Sequence, residues 1–176
     1  KSYIAKKFGY PIFNADAEVS KIYKKNKFFY KILKKKIPQY IKSFPTNKNE
    51  LKKAITGNLN NLKKIEKIIH PIVRKHMNKF LIRNRKKKAV ILDVPLLLEN
   101  NMNKKGFILI FIDSKKNEIM KRLRKRKNYD EKIYKELEKL QLPIEFKKKQ
   151  SNFIIKNNFK KKTLSNNIRI ILNEIL

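Results

Sequence analysis

Residues 89–99 read AVILDVPLLLE. The stretch opens on an unbroken apolar run, meets Asp93 and stops at Pro95. A run without polar alternation is what a strand buried on both faces requires, and parallel sheets place strands in that setting. Pro95 has no N–H to give a ladder, so the strand ends before it. Asp93 therefore falls at the carboxyl end of the strand, where open α/β sheets bind their ligands. A second run of this kind, FILIFI, occupies residues 107–112. Shorter ones stand at Pro11–Phe13, just after Gly9, and at Phe153–Ile155. Helical patterns separate them all, so the expected fold class is α/β with a parallel sheet.

Residues 1–8 read as the first turns of a helix. From Ala17 to about Lys86 the pattern is helical and rich in lysine, punctuated by Pro38, Pro45 and Gly57. Pro71 is expected to open a new helix at its first turn, where a missing N–H costs nothing. This stretch is too long for a simple crossover, so residues 17–86 read as an inserted helical subdomain. Ser114 is expected to cap a helix running to about Lys125. Asp130–Leu140 is helical, Pro143 breaks or restarts the pattern, and Thr163–Leu176 closes the chain with apolar residues at helical spacing. Residues 1–176 show no repeat and no flexible linker, and read as a single domain.

The 176 residues carry 47 Lys and Arg against 14 Asp and Glu, a formal net charge of +33. Such charge invites a nucleic-acid partner. Three features argue against a specific one. Arginine is confined to Arg74, Arg83, Arg85, Arg122, Arg124, Arg126 and Arg169, whereas base reading relies on the bidentate arginine fork. Lys, Ile and Asn are abundant together throughout, as an AT-rich genome imposes. The lysines are also spread along the chain. Solvated lysine faces with a general attraction to anions are the simpler reading. No stretch approaches the roughly 20 apolar residues that span a bilayer, so no membrane partner is expected. With no cysteine there is neither a disulfide nor a thiolate metal site, and a reducing cytoplasm is the expected home.

Four islands carry candidate chemistry. Lys1-Ser2 leads into a helix; such a pair can follow a phosphate-binding glycine loop or be an ordinary dipeptide. Asp16 follows the strand at Pro11–Phe13. It can orient a hydroxyl and accept its proton, or serve as the N-cap of the helix that follows. His70-Pro71 is a plausible helix start, and a lone histidine is usually structural. Asp93 can meet Mg²⁺ or a substrate hydroxyl, or cap the next turn.

In order, Lys1-Ser2, Asn14-Ala-Asp16, His70-Pro-Ile-Val73, Asp93-Val-Pro-Leu-Leu-Leu-Glu99, Gln141-Leu-Pro143 and Ile154-Ile-Lys-Asn-Asn158 resemble the dephospho-coenzyme A kinase family. That family reads a loop ending Gly-Lys-Ser-Thr, then Asp-Ala-Asp, His-Pro-Leu-Ile, Asp-Val-Pro-Leu-Leu-Phe-Glu, an arginine-containing lid, a Gln near a Pro, and Val-Ile-Asn/Asp-Asn. The resemblance covers essentially the whole chain. It implies a P-loop NTPase-like, three-layer α/β/α fold with a helical substrate-binding insertion over 17–86 and a lid over 122–142. It implies an ATP-dependent kinase acting on the 3′-hydroxyl of dephospho-coenzyme A, with Mg²⁺, as a monomer.

By position in the motifs, Lys1, Ser2 and Tyr3 match the ATP-binding loop, with Ser2 the Mg²⁺ ligand and Lys1 on the phosphates. Asp16 matches the general base. Asp93, His70 and Glu99 fall on the acceptor side, and Arg122 and Arg126 fall in the lid, where a cation offsets charge on the moving phosphoryl group. Arg126 joins Asp16 and Lys1 as a catalytic candidate, and Lys127–Lys135 continues the lid.

The chain departs from the pattern at several points. Tyr3 replaces Thr, Asn14 replaces the first Asp of Asp-Ala-Asp, Leu98 replaces Phe, and Lys156 stands where an acid is common. The neutral Asn14 receives no charge-dependent role. The stretch from Lys1 to Asp16 is shorter than usual in the family, so a shorter first helix is expected.

Two other readings compete. A nucleoside monophosphate kinase commonly places an Arg after the Asp-bearing strand, where Leu96 and Leu97 stand here. A basic nucleic-acid-binding protein would interleave aromatics with Arg, whereas Phe8, Phe107 and Phe111 fall in apolar core patterns.

Lys1-Ser2 is thus expected to be the end of a phosphate loop whose strand and glycines are encoded upstream. The coding sequence before Lys1 should hold a short apolar strand and a loop close to Gly-x-Gly-Ser-Gly. Reading it checks this; an initiator Met directly at Lys1, or no glycines there, removes the P-loop assignment.

Overall fold

The structure is a computed structural model that describes residues 8–126 and 129–176. The expected helix over residues 1–8 lies outside this range except for Phe8, as do Lys1, Ser2, Tyr3 and Lys127. The chain divides into two compact units, Phe13–Val94 and a second unit that holds Pro95–Leu176 with the residues up to Ile12. Among the described residues the strands hydrogen-bond as two pairs.

The first unit begins within β1 (Ile12–Asn14), which lies beside β2 (Ile91–Asp93). Between them run α1 (Ala15–Lys25), α2 (Lys27–Lys36), α3 (Lys48–Gly57) and α4 (Asn60–Arg83). Asparagine starts three of these helices. Asn14, Asn26 and Asn47 each accept a backbone N–H of the first turn through the side-chain oxygen, satisfying a donor that the helix leaves unpaired. A fourth, Asn61, is buried and donates from Nδ2 to the Ala54 carbonyl at 2.9 Å, near the end of α3. Gly57, the last residue of α3, lies so close to the Tyr40 side chain that a Cβ there would collide with it.

Helix α4 passes straight through Pro71, so the expected helix start at that residue is corrected. Proline inside a helix costs about 3 kcal/mol. The compensation lies in one stripe, Ile65, Ile69, Val73 and Met77, spaced by four and buried on both sides of the proline. Helices α1, α2 and α3 all pack against α4. Burying an aliphatic side chain contributes about 1.5–3 kcal/mol, so continuing in phase is favoured over breaking at Pro71. Phe13, Ile22, Phe29, Leu33, Ile37 and Ile41 complete the unit's core.

In the second unit, β3 (Ile110–Asp113) runs parallel to β4 (Phe153–Lys156), with Ile110 opposite Phe153 and Asp113 opposite Lys156. The helices are α5 (Lys116–Arg124), α6 (Glu131–Lys139), α7 (Ile144–Lys149) and α8 (Lys161–Ile175). Ile155, Leu164 and Ile171 form the core, with Phe8, Ile112 and Phe153 against it. Asp130 caps α6, and Pro143 stands at the N-cap of α7. Ser114 does not cap α5, contrary to expectation: the cap position is Lys115, without a side-chain bond, and Ser114 is engaged elsewhere. Among the described residues no helix is long and apolar enough to cross a membrane.

One side-chain contact ties α1 to α4. The Glu18 carboxylate meets Lys21 Nζ at 2.6 Å and His76 Nδ1 at 3.0 Å. Burial pushes the Glu18 carboxyl up, but the bonds from Lys21 and His76 outweigh it and hold the group below its ordinary 4.5. A depressed carboxyl stabilises fully above its unfolded value and loses that contribution as pH falls through the folded one. Glu18→Gln should therefore lower unfolding free energy at neutral pH by about 1 kcal/mol or less, because Lys21 and His76 are open to screening water. The gap to the parent should close in acid. Chemical unfolding at both pH values checks this; a gap that persists in acid places the loss in packing.

Candidate active site

Asn14 closes β1, and its side chain faces two ways. Its Oδ1 accepts the Ala17 N–H at 2.8 Å, and its Nδ2 donates to Asp93 Oδ2 at 2.9 Å. Asp93 is the last residue of β2, as its sequence position required. Asn14 rather than Asp16 is the N-cap of α1, so the capping alternative for Asp16 is closed. Asp16 is exposed in the first turn of α1, where the helix macrodipole favours a carboxylate. Asp93 leads into turns, as the turn-capping alternative expects, and its Oδ2 is engaged by Asn14. The structure thus brings the Asp16 turn and Asp93 together through a residue to which the sequence reading gave no role.

His70 lies on α4, away from the buried stripe and half-buried. It shares one open face of α4 with Pro71, Arg74, Lys75 and Lys79. Burial lowers its pKa, with Arg74 acting in the same direction and Glu66 against it. The ring is therefore mostly neutral at pH 7, beside three cations.

The second unit carries its polar groups at the carboxyl ends of the parallel strands β3 and β4. Asn157, just past β4, is buried; its Nδ2 donates to Ser114 Oγ at 3.0 Å and its Oδ1 accepts the Phe159 N–H at 3.0 Å. This turn carries Phe159 at φ +63°, a backbone region that a bulky residue rarely adopts. The Arg122 guanidinium lies 3.9 Å from the centre of the Phe159 ring, a cation–π stack. Arg126 is exposed just past α5. Glu99 is nearly buried, and its Oε1 accepts from Lys147 Nζ at 2.8 Å and from the Leu142 N–H at 3.3 Å.

Asn14, Lys147 and Phe159 are the contributors that sequence reasoning passed over. Asn14 had a readable signal, an N-cap residue three positions before Ala17. Lys147 had none, being one lysine among many.

Polar side chains at the carboxyl ends of strands stand where open α/β folds bind their ligands. Two solved structures share the fold. The crystal structure of TT1252 from Thermus thermophilus matches with a TM-score of 0.75 at 21% identity, covering 99% of this chain and 90% of that one. The dephospho-CoA kinase from Campylobacter jejuni matches with a TM-score of 0.66 at 24% identity, over 98% and 88%. Among curated relatives, the dephospho-CoA kinase of Wolbachia pipientis wMel is 27% identical across 99% of this chain and 92% of its own length. That of Bartonella henselae is 30% identical across 84% and 76%. The family model described as dephospho-CoA kinase matches residues 1–163, and the chain belongs to that family. It is an enzyme of that type, a kinase that uses ATP.

The Glu99–Lys147 pair gives a stability test. Both side chains are mostly withdrawn from water, at 9% and 14% exposure. Lys147→Met leaves the Glu99 charge without its cation and should cost about 2–3 kcal/mol. Adding Glu99→Gln should recover part of that loss, measured by urea unfolding. An unchanged midpoint in Lys147→Met would mean that water already satisfies Glu99.

Proposed function

We propose that this enzyme transfers the γ-phosphoryl group of ATP to the 3′-hydroxyl of dephospho-coenzyme A, giving coenzyme A and ADP. The observation that carries this reading is the match of residues 1–163 to one family, with acids at the motif positions Asp16 and Asp93. The hydroxyl oxygen bonds to the γ-phosphorus, the bond from that phosphorus to the β-bridging oxygen breaks, and the hydroxyl proton passes to the Asp16 carboxylate. The exposure of Asp16 and its release from capping support that role. Asp93 holds the acceptor side.

Among the described residues no cluster of three or more His, Cys, Asp or Glu side chains could hold a metal by itself. Mg²⁺ usually takes one or two carboxylates and completes its shell with water and substrate phosphates. A lone hard oxygen donor such as Asp93 fits that habit, with Ser2 assigned from its motif position. Mg²⁺ supplies charge neutralisation on the phosphates when bound. Lys1 and Tyr3 complete the ATP loop by motif position. Arg122 and Arg126 offset charge on the phosphoryl group from a lid over 122–142. The insertion over 17–86 receives the coenzyme A portion. The face of α4 at His70 supports that, since Arg74, Lys75 and Lys79 beside it suit a phosphate-bearing substrate. Glu99 serves the acceptor side by fixing the Leu142 segment through its own bonds. The enzyme acts as a monomer in the cytoplasm, in keeping with its lack of cysteine.

The full-length protein with Mg²⁺ and ATP should phosphorylate dephospho-coenzyme A far faster than AMP, CMP or adenosine. Asp16→Asn should slow that turnover by about two to four orders of magnitude while ATP affinity changes little. Lys1→Ala should weaken both nucleotide binding and turnover. Near-normal turnover in Asp16→Asn, with an unchanged melting temperature, removes Asp16 from catalysis. Comparable turnover of a nucleoside monophosphate supports that kinase class instead, and DNA binding that survives high salt supports a nucleic-acid function.

A further inference from the structure

We infer that Phe159 is a positioning residue for ATP: its ring holds the Arg122 guanidinium by one face and leaves the N–H edge of that guanidinium to the nucleotide. This rests on the reading of Arg122 as an ATP-side cation. Arg122 lies in the last turn of α5, and Phe159 in the turn that follows β4. The guanidinium carbon is 3.9 Å from the ring centre, so the cation sits on the negative face of the ring. Contact across a ring face uses none of the five guanidinium donors. Among the described residues no carboxylate forms an ion pair with Arg122, and the residue is exposed. Its charge and its donor edge are therefore uncommitted.

The backbone of Phe159 points the same way. Its φ of +63° lies in the left-handed region, where Cβ crowds the following carbonyl and a bulky residue is rarely found. The turn is fastened to the end of β3. The Asn157 N–H donates to the Asp113 carbonyl at 2.7 Å and its Nδ2 to Ser114 Oγ at 3.0 Å, while its Oδ1 accepts the Phe159 N–H at 3.0 Å. Glycine would adopt this φ without strain. The core gives no reason for a large ring instead, since Phe159 is not among the side chains packed on Ile155, Leu164 and Ile171. A cation–π contact at an exposed arginine contributes no more than such a backbone conformation costs, so net stability gives none either. Strain kept at one residue against a ligand-side cation points to function.

An aromatic ring suits this task better than the alternatives. A carboxylate would also hold Arg122, but it would occupy the donors and offset the charge that ATP needs. Left alone, the long arginine side chain samples many rotamers, and ATP binding would have to order it. Stacking orders the guanidinium beforehand, with its donors free. The effect therefore falls on the binding of ATP and leaves the acceptor side untouched. Tyrosine keeps the ring face, leucine keeps only the bulk, and glycine keeps neither.

The test measures ATP binding to the full-length protein by calorimetry without acceptor, alongside turnover of dephospho-coenzyme A. Phe159→Gly relieves the backbone and should melt at or above the parent temperature, yet bind ATP about three- to tenfold more weakly, the scale of one cation–π contact. KM for ATP should rise by the same factor while KM for dephospho-coenzyme A stays unchanged. Phe159→Tyr should restore the parent affinity, and Phe159→Leu should lose it as Phe159→Gly does. In an Arg122→Ala background, Phe159→Gly should weaken ATP binding no further, because the ring acts only through the guanidinium. Parent-like affinity in Phe159→Gly overturns the inference, as does a melting temperature well below the parent, which marks a structural ring. Parent-like affinity in Phe159→Leu marks bulk alone and overturns it too, and so do additive losses in the double variant. If Arg122→Ala binds ATP like the parent, the assignment of Arg122 fails and this inference with it. If Arg122→Ala is weakened and Phe159→Gly is not, only the role of the ring fails.

Discussion

The burial of one face of α4 is the constraint on which the helical unit depends. Ile65, Ile69, Val73 and Met77 are each nearly inaccessible and recur every four residues, so they form one stripe for α1, α2 and α3 to cover. An isolated helix gains little from propensity alone; its stability comes from the apolar face it packs away. The same stripe explains why Pro71 is tolerated. Interrupting the helix there would take Val73 and Met77 out of phase with Ile65 and Ile69, and the loss of burial outweighs one missing hydrogen bond. It also holds α1 in place, because α1 packs on α4 and is tied to it by Glu18 and His76. The first turn of α1 carries Asp16, so the rigidity of this unit reaches the candidate chemistry.

Asparagine does the local work that other chains spread over several residue types. Its side chain is short, neutral and both donor and acceptor. At Asn26 and Asn47 the acceptor alone is used, as a cap. At Asn61 the amide donates to a helix-end carbonyl within a buried setting. At Asn14 and Asn157 both ends are used at once, and both residues stand where a strand gives way to the next segment. An amide with both ends satisfied fixes local geometry in a way that one hydrogen bond does not, since rotation breaks two bonds together.

These features also explain what the sequence could and could not disclose. The runs at 89–94 and 107–112 were legible because strands buried on both faces need no polar alternation; the observed strands, Ile91–Asp93 and Ile110–Asp113, lie within or just beyond them. Asp93 was legible for the same reason, by falling where its run stopped. The course of α4 through Pro71 was not, because the local rule for proline is overridden by contacts with helices distant in sequence. Ser114 misled in the same way: a residue suited to capping α5 pairs instead with Asn157, 43 residues away. Asp16 could be read as a cap or as an acid at the site, and the cap proved to be Asn14. Lys147 was invisible because abundant lysine removes the contrast by which one functional lysine stands out.

That abundance bears on the acids as well. With 47 basic residues and 14 acidic ones, cations far outnumber the carboxylates they could pair with. Glu18, Glu99, Asp113 and Glu138 each hold a lysine or histidine at hydrogen-bonding or ion-pairing distance. Among the described residues, no ion pair involves Asp16 or Asp93. A cation seated on a carboxylate favours its charged form and so weakens it as a proton acceptor. A general base in so basic a chain therefore has to be kept from its own lysines. Asp16 is instead placed at a helix start, facing backbone N–H groups. Giving Asp93 a neutral amide fixes its orientation without supplying the opposite charge that would occupy it. Under the proposed function these two acids, unlike the paired ones, meet the incoming hydroxyl, while the surrounding lysines attract the anionic substrates.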